Sequence, residues 1–475
     1  MRLVGLTRLM CLFSLVGLFS TPLSSGKEPY TSFDFSKEPS LAMLKETKFT
    51  AVNRNVTDHK VEQRGFVSVP MDYSRKETSP TLKIFYRLIP LHGSRISDTK
   101  APLLVVINGG PGIPSSAYRS YDYDYDKPTE QMTKSDQLAE LSKHFRILII
   151  DQRGTPGYSA PLDMTDKNLN PGVIAQYFDS YHIALDHQEV IKAVLLPDEP
   201  FYMLAQSYGG MVGMRYLTLA QITLHPKGMI FSSSALPNQD PFKMMGSRRE
   251  SQRKLNEALF TAVPEIKQML ANLAEHFKSN GVKPESINYL WSLLGRGPNG
   301  KWEMALKTQI ETLLKADKKG IQTYLDQEVS RADILNYILS SKEITPGYTD
   351  RTVGKVVVAR VPFEKWMIDE EWTLSQITGE SEWVNPLLDA IDRKPPPLLP
   401  TFPSNEEIRK QLAQYHVLFT IGQGDAYLEE DTTRRHAEKF ISKGRGSIRT
   451  LAGGHKAAFL KDGAEVVASW AESIR

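Results

Sequence analysis

A serine on a tight turn between an apolar strand and a helix is placed to act as a nucleophile, and Ser207 has those surroundings. In Leu204-Ala205-Gln206-Ser207-Tyr208-Gly209-Gly210 an apolar run leads in and a helix-forming run, residues 211–219, leads out. Such a turn strains the serine's backbone and crowds its neighbours, so small residues, here Ala205 and Gly209, flank it at two positions to either side. A hydroxyl also needs a base, and the base needs an orienting acid. Residues 417–421 run into Gly422-Gln423-Gly424-Asp425, and residues 447–451 run into Ala452-Gly453-Gly454-His455. Of ten histidines, only His455 follows an apolar strand in a Gly-rich turn near the C-terminus, which makes it the candidate base. Asp425 is the candidate acid; Glu429, Glu430 and Asp431 compete for the role but fall later, on the approach to the next helix. The order Ser, acid, His with each group at a strand end is that of a Ser-His-Asp triad on an α/β sheet.

A developing oxyanion needs preorganised N–H donors. Asn108-Gly109-Gly110-Pro111-Gly112 follows an apolar run at Leu103–Ile107, and its glycines allow the backbone a close approach to a ligand. Gly109 and Gly110 are therefore candidate donors, with the N–H of Tyr208 as the second source at a helix N-terminus. Asp151-Gln152-Arg153-Gly154 follows another apolar run. Asp151 and Arg153 are expected to pair with each other or to fix loops, since arginine cannot deprotonate and is a poor acid or base.

These groups need a rigid sheet beneath them. Residues 66–69 and 82–89 alternate apolar and polar side chains, as half-exposed antiparallel strands do. Five short runs, at 103–107, 147–150, 201–204, 229–231 and 417–421, are nearly continuously apolar, the pattern of buried parallel strands. The expected fold is α/β, an α/β-hydrolase with a mostly parallel sheet flanked by helices and a large, mostly helical cap insertion. Residues 26–236 form its first part, 237–400 the helical cap and 401–475 its second part. In the insertion, residues 250–263, 265–279 and 302–316 carry Leu, Ala, Glu and Lys at helical spacing, and the Pro-rich stretch from Pro395 to Pro400 closes it.

Residues 1–25 read as a signal peptide. Arg2 and Arg8 precede an apolar run that is about half the ~20 residues a spanning helix needs, and no acidic residue comes before Glu28. The expectation is an exported protein, periplasmic or secreted, with no stable membrane anchor. Removing the segment would remove the sole cysteine, Cys11, and take the net charge from +3 to +1. No Lys/Arg run is dense enough to track a phosphate backbone, so nucleic acid is not an expected partner. The triad chemistry calls for no cofactor and no metal. The sequence leaves the oligomeric state open.

The chain resembles the proline iminopeptidase family of serine peptidases. The matching pieces are Gly109-Gly110-Pro111-Gly112, Asp151-Gln152-Arg153-Gly154, Gln206-Ser207-Tyr208-Gly209-Gly210, Gly424-Asp425 and Gly453-Gly454-His455, together with Asp179 and Asp186 in the segment before the elbow. Asn108 stands where many members have His, and Ala205 where most have Gly. The resemblance runs from about Gly65 to the C-terminus and is weakest across the insertion. It implies hydrolysis of an N-terminal residue, often proline, from short peptides through an acyl-enzyme. It also implies that acidic side chains of the cap hold the substrate's ammonium; Thr378-Gly379-Glu380 resembles a cap motif of the larger members, which puts Glu380 ahead of Glu364 and Glu371. The residues themselves also admit an esterase or lipase with the same triad, or a secreted binding protein on a hydrolase scaffold.

Overall fold

The computed structural model describes residues 50–52, 63–94, 101–110, 115, 138–154, 177–196, 199–239, 241–282 with four more up to 290, 302–328, 402–442 and 444–474. Nine strands form one sheet: β1 (Thr50–Val52), β2 (Gln63–Pro70), β3 (Thr81–Ile89), β4 (Leu103–Ile107), β5 (Arg146–Ile150), β6 (Phe201–Gln206), β7 (Gly228–Ser232), β8 (His416–Gln423) and β9 (Gly446–Ala452), in the spatial order 1-2-3-5-4-6-7-8-9. β1, β2 and β3 pair antiparallel, and β3 pairs antiparallel with β5. From β5 onward every pairing is parallel, with Ile107 beside Ala205 and Gln206 beside Ser232. The sheet is thus mostly parallel, with an antiparallel flank.

The residue pattern accounts for the layers. Leu103, Val105 and Ile107 point into one apolar cluster, while Leu104 and Val106 point into a second on the opposite face. A strand with both faces covered must be apolar throughout, which is why β4 shows no alternation. Burying one such aliphatic side chain contributes roughly 1.5–3 kcal/mol. The central strands are therefore a stiff floor for whatever stands at their ends. The half-exposed reading holds for β2, whose residues alternate between buried and partly exposed; β3 is buried from Ile84 to Ile89, where it also meets β5.

Helices cover both faces. α1 (Ala139–Ser142) lies on the second cluster's side; α2 (Ser180–Val194) and α3 (Gly209–Thr218) pack on the first. Asp179 starts α2 by accepting the N–H of His182 at 3.0 Å. Among the described residues, four helices lie in the stretch read as the insertion: α4 (Pro241–Ala262), α5 (Ile266–Ser279), α6 (Trp302–Leu314) and α7 (Lys318–Glu328). Their buried faces, including Leu259, Leu270, Phe277, Leu306 and Ile310, join the first cluster. α8 (Asn405–Leu412) starts with a capping box of Ser404 and Glu407, α9 (Glu430–Ala437) follows β8, and α10 (Lys461–Ser473) covers the second cluster. No helix among the described residues is long and apolar enough to cross a membrane.

The chain leaves the sheet after β7 and rejoins it before β8 at one neck. Asn238, in the left-handed region at φ 60°, donates to the carbonyl of Pro403 at 2.9 Å and to Asn405 Oδ1 at 3.0 Å. Asn tolerates that backbone better than most residues. His436 Nε2 donates to the carbonyl of Pro237 at 2.8 Å, and the Arg215 guanidinium stacks 3.7 Å above the Phe402 ring.

Candidate active site

The elbow after β6 carries the strain expected of it. Ser207 has φ 57°, a conformation costly for a residue with a side chain. Its backbone is held on every side: its N–H donates to Ser232 at 3.1 Å, and its carbonyl accepts from Gly210 and Ala235, each at 2.9 Å. Crowding explains the glycines that follow. A Cβ at Gly209 would stand 2.4 Å from the carbonyl oxygen of Ile107, and one at Gly210 would stand 2.4 Å from that of Ala235. Ala205 fits where glycine is commoner; it is buried, and its carbonyl accepts the Ser234 hydroxyl at 2.7 Å.

Asp425 and His455 meet although they lie on different loops. Asp425 Oδ2 and His455 Nδ1 are 2.7 Å apart, with both side chains about 1% exposed. A carboxylate only accepts, so Nδ1 must carry the proton and Nε2 presents the lone pair, the tautomer a general base requires. The other carboxylate oxygen accepts N–H groups from Tyr427 at 2.8 Å and Leu428 at 3.2 Å, an Asx turn that locks the side chain. The Tyr427 ring packs 4.5 Å, centroid to centroid, from the imidazole. Two of the rival acids are occupied elsewhere. Glu429 caps α9; burial pushes its carboxyl up, but N–H groups of Thr432 and Asp431 outweigh that and hold it below its ordinary range. Glu430 faces Arg434 and Thr450.

Two glutamines lash these loops together. Gln206 Nε2 donates to the carbonyl of His455 at 3.2 Å, while its Oε1 accepts from Lys456 Nζ at 3.1 Å. The base is thereby tied to the residue preceding Ser207. Gly109 lies against the same pair: a Cβ there would stand 2.9 Å from Gln206 Oε1 and 3.0 Å from Ser207 Cβ. Gln152, at the end of β5, donates to the carbonyls of Asn108 at 2.9 Å and Gly109 at 3.2 Å. A trans peptide points its N–H opposite to its C=O, so this grip turns the N–H groups of Gly109 and Gly110 away from Gln152. Gly110 has φ 115°. Tyr208, the residue before α3, sits at that helix's positive end. Candidate nucleophile, base, acid and N–H donors are thus gathered at the carboxyl edge of the parallel strands, where open α/β sheets bind ligands. Glu380, Glu364, Glu371, Pro111 and Gly112 lie outside the described residues.

Arg153 does not pair with Asp151. Its Nε and a terminal nitrogen grip both oxygens of Asp186 at 2.8 and 2.6 Å, and it donates further to the carbonyls of Pro70, Met71 and Tyr177. Burial opposes its charge, but Asp186 outweighs burial and raises its pKa above the ordinary value. Asp151 instead accepts the N–H of Ser115 at 2.6 Å. Both residues fix loops. The glutamines are the site residues that the sequence motifs leave without a role. A signal for one exists: Gln206 ends a strand buried on both faces, and a buried polar side chain demands partners.

The fold is that of the α/β hydrolases. A model of the alpha/beta hydrolase fold family matches residues 102–265, the segment from β4 to the residue before α5. In sequence the chain is similar to the proline iminopeptidase of Aeromonas sobria, to which it is 26% identical over 222 residues, 46% of this chain. That match spans about half of the relative's length, 48%. Solved structures of similar shape include esterase E22, at 10% identity and TM-score 0.44 over 86% of this chain and 100% of that one. Another is MGS-M2, an alpha/beta hydrolase enzyme from a Medee basin deep-sea metagenome library, at 8% identity and TM-score 0.38 over 83% and 94%.

Proposed function

We propose that this hydrolase is a serine aminopeptidase that removes the N-terminal residue, often proline, from short peptides. The observation that carries the chemistry is the buried 2.7 Å contact of His455 Nδ1 with Asp425 Oδ2, tied through Gln206 to a serine at φ 57°. In this reading Ser207 Oγ attacks the scissile carbonyl as His455 Nε2 takes its proton, and Asp425 stabilises the imidazolium. The oxyanion rests on N–H groups of Tyr208 and the Gly109–Gly110 turn. Collapse breaks the C–N bond, His455 returns the proton to the departing amine, and water activated by the same histidine releases the acyl group. The choice of an N-terminal residue is supported by the similarity to the Aeromonas sobria protein. Glu380 is the proposed carboxylate for the substrate's free ammonium, and residues 237–400 the cap that carries it. Export to a periplasm or to the medium, following loss of residues 1–25, belongs to the same proposal.

The test compares kcat/KM for Pro-naphthylamide, its N-acetyl derivative and p-nitrophenyl acyl esters, in the wild type and Glu380→Gln. An unpaired carboxylate in a partly desolvated pocket should make the blocked substrate worse by on the order of 10²-fold or more. Equal cleavage of free and blocked substrates would overturn the aminopeptidase reading in favour of an esterase or endopeptidase. A preference for free substrate that Glu380→Gln leaves unchanged would remove only that residue's role.

A further inference from the structure

The first helix of the insertion touches the loop that carries Asp425. Ser251, in α4, is buried, and its hydroxyl donates to the backbone carbonyl of Asp425 at 2.6 Å across 174 residues of sequence. One turn later Leu255 lies over Gly424, where a Cβ would stand 3.7 Å from Leu255 Cδ2. Residues four apart share a helix face, so α4 presents a polar grip and an apolar pad to two consecutive residues of the acid loop. The loop needs such support. It leaves β8 through Gly424, at φ 72°, so its own backbone is permissive where the acid must be aimed.

The carbonyl that Ser251 holds belongs to the residue whose side chain forms the Asx turn with Tyr427 and Leu428. Rotating the Asp425 peptide would carry those N–H groups away from Oδ1, and Oδ2 away from His455. We propose that Ser251 is a positioning residue of the reaction. By holding the Asp425 carbonyl it aims Oδ2 at His455 Nδ1, so the insertion supplies part of the catalytic alignment. This rests on the reading of Ser207, Asp425 and His455 as the triad.

The experiment is a double-mutant cycle on the full chain with Ser251→Ala, Asp425→Asn and both together. It measures the rate of fluorophosphonate labelling, kcat and KM on an activated acyl ester, and the pH profile of kcat/KM. Wild type is labelled first; if Ser207 takes no label, the triad reading itself fails, and that is seen before any variant is compared. With wild type labelled, Ser251→Ala should lower kcat about tenfold, the weight of one well-aimed hydrogen bond, with KM within about twofold. A poorly aimed carboxylate stabilises the imidazolium less, so the acid limb of the profile should move to lower pH. On the Asp425→Asn background the loss should shrink to under about twofold, because residues acting through one another are not additive. Ser251→Thr, which keeps the hydroxyl, should recover most of kcat. An unchanged kcat, a loss confined to KM, or a tenfold loss that persists on Asp425→Asn would each overturn the proposal. If Ser251→Ala does not fold, Ser251→Cys, of similar size and a weak donor, is held to the same criteria.

Discussion

Asp186→Asn should be among the most damaging isosteric substitutions in the described part of the molecule. The carboxylate it neutralises is the counter-ion of a guanidinium with no exposed side-chain surface, and Asp186 itself is equally buried. Arginine cannot shed its proton, so the variant keeps a buried cation whose remaining partners are three carbonyls. Two unit charges about 4 Å apart at an effective dielectric of about 20 attract by about 4 kcal/mol. Breaking buried pairs from one side costs about 3–5 kcal/mol, in agreement. Either orientation of the asparagine amide also sets its NH2 group against an Arg153 donor, and one of the two takes the oxygen away from the Tyr73 hydroxyl, which donates to Asp186 at 2.9 Å. The assay is urea unfolding followed by tryptophan fluorescence, comparing midpoints at unchanged slope. The expected loss is about 3–5 kcal/mol. The cost comes from an uncompensated charge, so adding Arg153→Met to Asp186→Leu should destabilise no further. An Asp186→Asn variant within about 1 kcal/mol of wild type, or full additivity of the two apolar changes, would refute the reasoning.

Ser207→Ala should lower kcat by on the order of 10⁶ while the urea midpoint stays near that of wild type; a folded variant with a tenth of the activity would rule Ser207 out as nucleophile. Ser207→Gly should be equally inactive yet about 1 kcal/mol more stable, since glycine adopts φ 57° without strain. Acid should destabilise the fold through His187 and His436, each lowered to about 4 chiefly by burial. A lowered histidine favours the neutral form when folded, so the unfolded chain binds more protons between about pH 6.5 and 4, and stability falls as pH falls through that window. At pH 5 each contributes a loss of about 2 kcal/mol. His436→Gln, which keeps a donor for Pro237, should flatten the dependence of the urea midpoint between pH 7.5 and 5; an unchanged slope would count against it.

What the sequence discloses is local. Leu103–Ile107 reads as a strand covered on both faces because five aliphatics in a row have no other soluble use, and that is where it sits. Asp425 and His455 are legible because each follows a strand through glycine, and strand ends are fixed points of an α/β sheet. Long-range partners are not legible. Arg153 looks in sequence like a partner for its neighbour Asp151, yet its carboxylate comes from Asp186, buried in α2 and 33 residues further along the chain. The run before His455 reads as sheet like the other strands, but β9 has a single neighbour, and most of its residues are partly exposed or exposed. Ser251 carries no signal at all, since a serine amid helix-forming residues looks like surface.

The same physics explains why the side chains beside the triad are so polar while the strands beneath are so apolar. A parallel strand satisfies its backbone through its neighbours, but at its carboxyl end the ladder stops; the carbonyls of residues 108 and 109 lie just past β4, and that of residue 455 lies in the turn of helix that follows β9. Side chains donate to them: Gln152 to the first two and Gln206 to the third. Each glutamine therefore does two things with one group. It donates to a backbone carbonyl, and it ties its own strand end to another catalytic loop, β5 to the Gly109 turn and β6 to the His455 turn. A carboxylate at 152 or 206 would face those carbonyl oxygens with no proton to offer. The sites that align the chemistry are thus chosen first by the need to satisfy backbone at a sheet edge, and catalysis exploits the rigidity that results.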